Sequence, residues 1–388
     1  MTLAQLRARG DADFRRLGLP SRKIEAWHYT DLSQSGVTAL PLAAMPAPLA
    51  SVPGTLHLVD GFLAGAGALP QGATLERLED SAIGQAMVGH VLPSSDLPLV
   101  GLNAGLFADG LVLRLAGQVE TPIRLVSEGS GDVQFHGRIV VVLEPGAAAT
   151  LVEIHQGEGR YFSNSVAEIS LGEGAELHHL VLQNEGDAAT HVSTLGVELA
   201  AKSRYRGQAL HLGGKLVRRE VHGLLAGSHA DFALDGASLV TGSRHVDNTT
   251  RILHRATHCC SRQLFKTVLQ DEGHGVFQGT VLVEPGAQKT DARQLSRALL
   301  LSDRAAMDTK PELEIFADDV KCGHGATIGD IDETQLFYMR ARGIDEAGAR
   351  RLLIEAFLAE ALAEIADDSL RDEFAGRLHH RLTGKEPT

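Results

Sequence analysis

The sequence predicts a mainly β protein whose centre is a β-helix, a solenoid of stacked short strands, with helical regions at both ends. The 388-residue chain has 42 glycines and only 4% aromatic residues, which suits short strands with tight corners better than a bulky globular core. From about residue 111 to residue 330, short apolar runs alternate with Gly, Asn, Asp or Ser. After residue 332 the apolar residues recur at helical spacing instead.

A corner motif recurs within residues 99–331, which we assign to the β-helix core. Its copies are LEPGA at 143–147, LGEGA at 171–175, LAAK at 199–202 and LAGS at 225–228. The spacing of about 26 to 28 residues is in the range expected of solenoids. Each turn is expected to hold two or three short strands, beginning with one at 111–115. A β-sandwich of hairpins is the alternative, but a corner that recurs at one long period favours the solenoid.

Residues 1–98 are predicted to form a mostly helical region with an irregular, proline-rich lead-in. An amphipathic helix is expected over residues 3–17, because apolar side chains recur at helical spacing and a Gly and a Pro follow. Four prolines between residues 41 and 53 indicate irregular structure. A strand is expected at 56–59 and a helix at 78–90.

Residues 332–388 are predicted to form two or three helices. An apolar stripe there has acidic residues on its other side, and it consists of Ile354, Phe357, Leu358, Leu362 and Ile365. We expect these helices to cap the solenoid, to pack on its last turn and to offer an apolar face to a partner.

Composition and motifs exclude several classes of function. A formal net charge of −13 argues against nucleic-acid or anionic-membrane partners. The sequence Gly213-Gly214-Lys215-Leu216 is not a phosphate-binding loop, so the chain is not expected to hydrolyse ATP. Three cysteines, two of them adjacent, make a poor disulfide framework and indicate a reducing compartment. With no signal peptide or membrane-length apolar run recognised, we expect a cytoplasmic protein.

The segment Pro311–Gly343 contains the candidate metal ligands Cys322 and His324. Two residues apart on a strand, their side chains would point to the same face. Thiolate and imidazole suit zinc, copper(I) or an iron–sulfur cluster, but two ligands from one segment cannot complete a four-coordinate site. The remaining ligands would have to come from elsewhere. A buried packing role for Cys322 is the alternative.

A second group of His and Cys residues, His254, His258, Cys259 and Cys260, is also dense enough to suggest a metal. Consecutive strand residues cannot all converge on one point, so structural roles are preferred here. Other histidines, such as His178-His179, His211 and His222, are expected mostly to face solvent or to bond neighbouring backbone groups, with a minority lining a ligand path.

Beyond these patterns, the chain resembles the SufB/SufD family of iron–sulfur cluster assembly proteins. In the C-terminal half, the resemblance rests on Ala292, Gln294, 299–302, 308–311, 313–315, 317–322, 324–327, 336–338 and 342–344. Further matches are Leu102-Asn103-x-Gly105 before Asp109-Gly110, and His254-x3-His258-Cys259 before Ser261, Gln263 and Lys266. The segment Arg22-Lys23-x-Glu25-x-Trp27-x-Tyr29-Thr30-x-Leu32 resembles the opening of the SufD branch, although Trp27 and Tyr29 by themselves indicate packing anchors.

The resemblance implies a right-handed parallel β-helix and a non-catalytic scaffold subunit. It implies pairing with SufB, docking of the SufC ATPase on the C-terminal helices, and a homodimer when the chain is isolated. His324 would bind a nascent iron–sulfur cluster or incoming iron at the shared interface, transiently, so that the isolated chain need not hold one; Cys322 is the weaker candidate. Where the family shows Cys-Ser-His, this chain has Gly323.

Three alternatives stay open at this point. A SufB-like cluster scaffold is the nearest, but SufB chains are usually longer, and the segments around Trp27 and at residues 344–347 resemble SufD. A β-helix carbohydrate-active protein would need paired carboxylates in a groove. A purely structural interaction protein would bind partners without using Cys322 or His324.

Overall fold

The computed structural model describes residues 2–384 and shows a parallel β-solenoid of about eight turns with helices at both ends of the chain. The strands are β1 (Thr55–Val59), β2 (Phe62–Ala66), β3 (Ala73–Arg77), β4 (Gly110–Leu115), β5 (Ile123–Ser130), β6 (Gln134–Phe135), β7 (Arg138–Leu143), β8 (Ala148–Glu158), β9 (Phe162–Leu171), β10 (Glu176–Glu185), β11 (Thr190–Leu199), β12 (Arg204–His211), β13 (Leu216–Leu225), β14 (Asp231–Val240), β15 (His245–His254), β16 (Cys260–Leu269), β17 (His274–Val283), β18 (Asp291–Leu300), β19 (Ala306–Ile315) and β20 (Lys321–Gly329). The α-helices are α1 (Leu3–Leu17), α2 (Ala82–Met87), α3 (Pro98–Leu106), α4 (Glu333–Ala341), α5 (Glu346–Ala359) and α6 (Asp368–Thr383), and short 3-10 helices lie at Glu25–Trp27, Val37–Ala39 and Glu360–Leu362.

Two ten-stranded sheets form the walls of the solenoid. The first sheet has the order β2-β1-β5-β8-β10-β12-β14-β16-β18-β20. In the second sheet the order is β19-β17-β15-β13-β11-β9-β7-β4-β3, with β6 paired to β9. From β8 onward the chain alternates between the sheets, so each turn contains two strands. Outside the antiparallel pairs β1–β2 and β3–β4, neighbouring strands are parallel. The predicted β-helix is therefore confirmed, while its handedness stays a prediction.

Strand register reproduces the repeat that the sequence indicates. Glu176 pairs with Ala148 on one side and Arg204 on the other, a spacing of 28 residues in each direction. Later turns are longer: Cys260 pairs with Asp291, 31 residues away. The corner motifs follow strands of the second sheet, where Gly146 and Gly174 adopt positive φ angles of 72° and 66°. A glycine tolerates that conformation without the steric cost that a side chain brings.

The inside of the solenoid is packed with side chains from both sheets. Its main apolar cluster includes Leu151, Leu177, Ile169, Leu199 and Phe232, all buried. The side chains that alternate with them point outward, where the terminal regions cover much of both sheets. This two-sided burial explains why many strands contain almost uninterrupted apolar sequence.

The N-terminal region covers the second sheet. Helix α1 ends at Gly18, as predicted, and α1 packs on α3 with Gly10 close to Gly101 and Ala104. The strand expected at 56–59 is β1, but the helix expected at 78–90 extends only over α2. Strands β1 and β3 join the two sheets, so part of the region expected to be mostly helical belongs to the solenoid walls.

The C-terminal helices α4 to α6 lie on the outer face of the first sheet. Ile354, Leu358 and Leu362 of the predicted stripe pack with outward-facing sheet residues such as Leu180 and Leu210. The expectation that they cap the end of the solenoid is therefore wrong. The outward apolar side chains extend across β8 to β16 and offer a larger apolar surface than the last turn does.

The division of the chain at residues 98 and 331 stays a prediction. Among the helices that the structure describes in residues 2–384, none is long and apolar enough to cross a membrane.

Candidate metal centre

Cys322 and His324 lie on β20, the last strand of the first sheet. Cys322 pairs with Ala292 of β18, and His324 pairs with Gln294. Both partners are buried, whereas the alternating Arg293 is exposed, so this face of β18 is the inner one. Because residues in register on parallel strands point the same way, Cys322 and His324 share the inner face, as the sequence predicts. No strand beyond β20 covers them within residues 2–384, which leaves His324 exposed and Cys322 half-buried.

The surroundings of Cys322 are mainly apolar. Its side chain packs against a cluster that includes Ala292, Ala317 and Val320. Burial raises the pKa of the Cys322 thiol, and the nearby Asp291 carboxylate adds to the rise. Because the thiolate is the form that binds metal, Cys322 is a poorer ligand at neutral pH than the exposed imidazole of His324.

An open groove contains both candidate ligands at this end of the solenoid. It is lined by Arg293, Gln294, Leu295 and residues 321–325. Within the part of the chain that the structure describes, no group of three or more His, Cys, Asp and Glu side chains is arranged to hold a metal ion. Cys322 and His324 therefore present two donors, and further ligands would have to come from outside the chain.

The end of the solenoid has the character of an interaction surface. Strands β19 and β20 each terminate their sheet, so their outer edges have no strand partner among residues 2–384. Ile315, Phe316 and Ile328 are 39%, 62% and 47% exposed there. Unpaired strand edges beside exposed apolar side chains favour pairing with another protein.

The second group of His and Cys residues is not brought together. His254 points inward and its Nε2 lies 2.8 Å from Ser261 Oγ, whereas His258 is exposed at a corner. Cys259 is buried in the main apolar cluster, and Cys260 is exposed at the start of β16. These positions agree with the structural roles preferred from the sequence.

The Trp27 segment belongs to an N-terminal arm, residues 20–40, that packs on the outer face of the second sheet. Trp27 is 3% exposed, and the Arg218 guanidinium lies 3.9 Å from its ring centre. Arg218 is fully buried, forms an ion pair with Asp247 and donates to the Ala26 carbonyl oxygen at 2.8 Å. Trp27 is thus a packing anchor, as expected, over a buried charged pair.

Histidines inside the solenoid were not expected from the sequence. His179 and His211 are buried rather than solvent-facing. Tyr205 Oη lies 2.8 Å from His179 Nδ1, and His179 Nε2 lies 3.1 Å from Glu153 Oε1. Burial raises the pKa of Glu153, but the His179 and His155 imidazoles outweigh burial and hold it well below its usual range. A cavity of about 50 Å³ adjoins these groups. The period-two alternation within β8 and β10, counted from their apolar inner residues, would have placed these side chains inside.

A second surface groove lies between α5 and α6. It is lined mainly by small and apolar side chains, with Glu355, Arg371, Asp372 and His379 among them. Leu352 is 43% exposed at this groove, and Phe337 of the neighbouring α4 is 73% exposed. Together these residues leave apolar surface on the C-terminal helices.

Comparison with known families identifies the fold and the metal motif together. The family model described as "SUF system FeS cluster assembly, SufBD core domain" matches residues 125–357, which include Cys322 and His324. The chain belongs to the SufB/SufD family. An iron–sulfur cluster assembly SufBD family protein of Synechocystis is 31% identical over 92% of this chain and 86% of its own length.

Relatives named SufD place the chain on the SufD-like side of the family. The iron–sulfur cluster assembly protein SufD of Escherichia coli is 35% identical over 64% of this chain and 59% of its own length. Protein ABCI7, chloroplastic, of Arabidopsis thaliana is 38% identical over 66% of this chain and 56% of its own length. The matches thus span less than two thirds of these two relatives.

Proposed function

We propose that this chain is a SufD-type scaffold subunit of a SufBCD iron–sulfur cluster assembly complex and that it acts at an interface with SufB. His324 supplies an imidazole there to a nascent cluster or an incoming iron ion, which is cargo of the assembly process. Cys322 is the second, weaker donor. The chain itself is non-catalytic, and ATP hydrolysis belongs to SufC.

The observation that carries the proposal is the position of His324 on the inner face of the terminal strand β20. An exposed imidazole beside two unpaired strand edges is accessible to ligands from a second subunit. A site shared between subunits needs only part of its ligand set from each. This arrangement explains how a chain that offers two donors from one segment can still contribute to a complete site.

The chemistry of His324 suits transient binding. A neutral imidazole binds iron through one ring nitrogen, and a mixed ligand set changes the properties of a cluster relative to four thiolates. The raised pKa of Cys322 favours the same division of roles, with the imidazole as the principal donor from this chain.

The proposed partners fit two different surfaces. SufB, or a second copy of this chain in its absence, would pair along β19 and β20, where Phe316 and Ile328 are exposed. SufC would dock on the C-terminal helices near the groove between α5 and α6. We also propose a cytoplasmic location, where free thiols such as Cys260 stay reduced.

The test is anaerobic reconstitution of the purified chain, alone and with its SufB and SufC counterparts, followed by iron–sulfur absorbance and size-exclusion chromatography. We expect chromophore in the complex and a several-fold lower yield with His324→Ala, while complex formation stays normal because His324 is exposed. His258→Ala, at an equally exposed histidine on a distant corner, is the matched control. Equal cluster yield for wild type and His324→Ala would refute the assignment of His324.

A further inference from the structure

Gln294 lies next to His324, one turn further into the solenoid. The residue is only 2% exposed, and neither its Oε1 nor its Nε2 has a hydrogen-bond partner within residues 2–384. A buried amide normally has partners, because burying its donor and acceptor groups without them costs stability. The unpartnered amide therefore indicates a position selected for something other than stability of the isolated chain.

The opposite wall of the solenoid leaves room for this side chain. A Cβ atom added at Gly279 of β17 would lie 2.1 Å from Gln294 Nε2 and 2.7 Å from its Cδ. Any larger residue at position 279 would push the amide aside. Glycine at this position thus allows the amide to occupy the space between the two sheets.

The amide is also part of the groove that holds the candidate ligands. Gln294 lines this groove together with Cys322 and His324. In metal sites, groups that hydrogen-bond the bound ligands tune affinity although they do not touch the metal. A side-chain amide offers two N–H donors and a carbonyl acceptor without adding charge.

We propose that Gln294 donates a hydrogen bond to the non-protein ligand, water or sulfide, of a metal ion held at Cys322 and His324. The inference rests on the proposed function and identifies Gln294 as a positioning residue of that site. Both candidate ligands present a lone pair to the amide N–H. Hydrogen bonds to sulfide also shift the reduction potential of iron–sulfur clusters, so Gln294 would influence how readily a cluster is passed on.

The chain contains a matched control for this idea. Gln263 of β16 is in register with Gln294, is 1% exposed and likewise has no partner for either amide atom within residues 2–384. It lies one turn deeper, and the groove that contains Cys322 and His324 does not include it. Gln263→Leu therefore reproduces the buried substitution without affecting the proposed ligand.

The experiment is anaerobic titration of the full chain with Co²⁺, followed by visible absorbance, with and without one equivalent of sulfide. Leu approximates the volume of Gln but cannot donate a hydrogen bond. We expect Gln294→Leu to weaken cobalt affinity by about 10- to 100-fold. The loss should appear without sulfide if water is the acceptor, and with sulfide if sulfide is. Gln263→Leu should bind like wild type, and neither variant should have a lower Tm than wild type, because no hydrogen bond within the chain is lost.

The outcomes separate this inference from the proposed function. Unchanged affinity in Gln294→Leu, or an equal loss in Gln263→Leu, would overturn the role of Gln294. Weaker binding accompanied by a Tm below that of Gln263→Leu would indicate a packing role and would overturn it as well. If His324→Ala abolishes binding while Gln294→Leu does not, only the inference fails; if the wild-type chain binds no cobalt, the proposed site fails and the inference with it.

Discussion

Replacing Trp27 by Ala should release the N-terminal arm from the second sheet while the solenoid stays folded. Trp27 is almost completely buried and packs over the Arg218 guanidinium at 3.9 Å. Around it, Thr30 Oγ1 bonds the Asp247 carboxylate and lies 2.8 Å from His245 Nε2. Removing the indole takes away the largest apolar contact of the arm and exposes one side of a buried ion pair.

The size of the effect follows from these contacts. Truncating a buried Trp to Ala typically costs about 3–5 kcal/mol, and a desolvated cation–π contact contributes about 2 kcal/mol of that. Arg218 and Asp247 regain water when the arm opens, which offsets part of the loss. A net cost of about 4 kcal/mol would raise the equilibrium constant for arm opening about a thousand-fold.

Hydrogen exchange measured by mass spectrometry can detect this local opening. The amides of Thr30 and Leu32 donate to the carbonyl oxygens of Trp27 and Pro20, so they report on the arm directly. Their exchange should accelerate about a thousand-fold in Trp27→Ala, and less in Trp27→Phe, which keeps an aromatic ring over Arg218. If arm amides exchange as in wild type, or if the interior strands β9 and β11 accelerate equally, the arm is not the local unit described here.

Two further predictions concern pH and the C-terminal helices. Burial lowers the pKa of His136 and His254 to about 4 and that of His211 to about 3. The unfolded chain takes up these protons below about pH 6.5 whereas the folded chain does not, so each group lowers the free energy of unfolding by about 1.4 kcal/mol per pH unit as the pH falls toward 5. Urea unfolding from pH 7 to 5 should show this loss, and His254→Gln should reduce the slope by one proton; an unchanged slope would contradict the buried neutral imidazole. Lys266 is buried beneath α5 and bonds Glu360, so Lys266→Met should loosen α5 and α6 by roughly 1 kcal/mol, because the exposed side of Glu360 can be rehydrated. Limited proteolysis of α5 and α6 at equal protein stability elsewhere checks this, and a cleavage rate equal to that of wild type would refute it.

The sequence predicted the solenoid because its corners impose a backbone requirement that repeats. Gly146 and Gly174 both occupy left-handed corners, and the same corner accepts Lys202 and then His229 in later turns. Once non-glycine residues and longer turns appear, the motif is no longer visible as text, although the register continues through β20. The number of strands per turn could not be read, because a strand that is buried on both faces lacks the alternation that would mark its limits.

The position of the C-terminal helices depended on information that one segment does not contain. Their apolar stripe shows that one face is buried, but not which surface buries it. That surface is formed by outward-facing residues of β8 to β16, from Val152 to Val268, which belong to separate turns and become contiguous only through the register. The same reasoning applies to His179 and Glu153, which are 26 residues apart but come within hydrogen-bonding distance on adjacent strands.

The candidate site follows the opposite pattern, since its two donors are local and their meaning depends on where the solenoid ends. The Cys-x-His spacing places both side chains on one face of any strand, and in an interior turn such residues would be enclosed, as His254 is. On β20 the next turn is missing, so the inner face of the strand becomes a surface, and His324 is exposed while its register partner Gln294 stays buried. A residue that would be core in every preceding turn is thereby available to a partner. The end of a repeat fold thus converts interior positions into a docking and ligand-binding face without any change in local structure, which is why position in the register, rather than the motif alone, singles out His324.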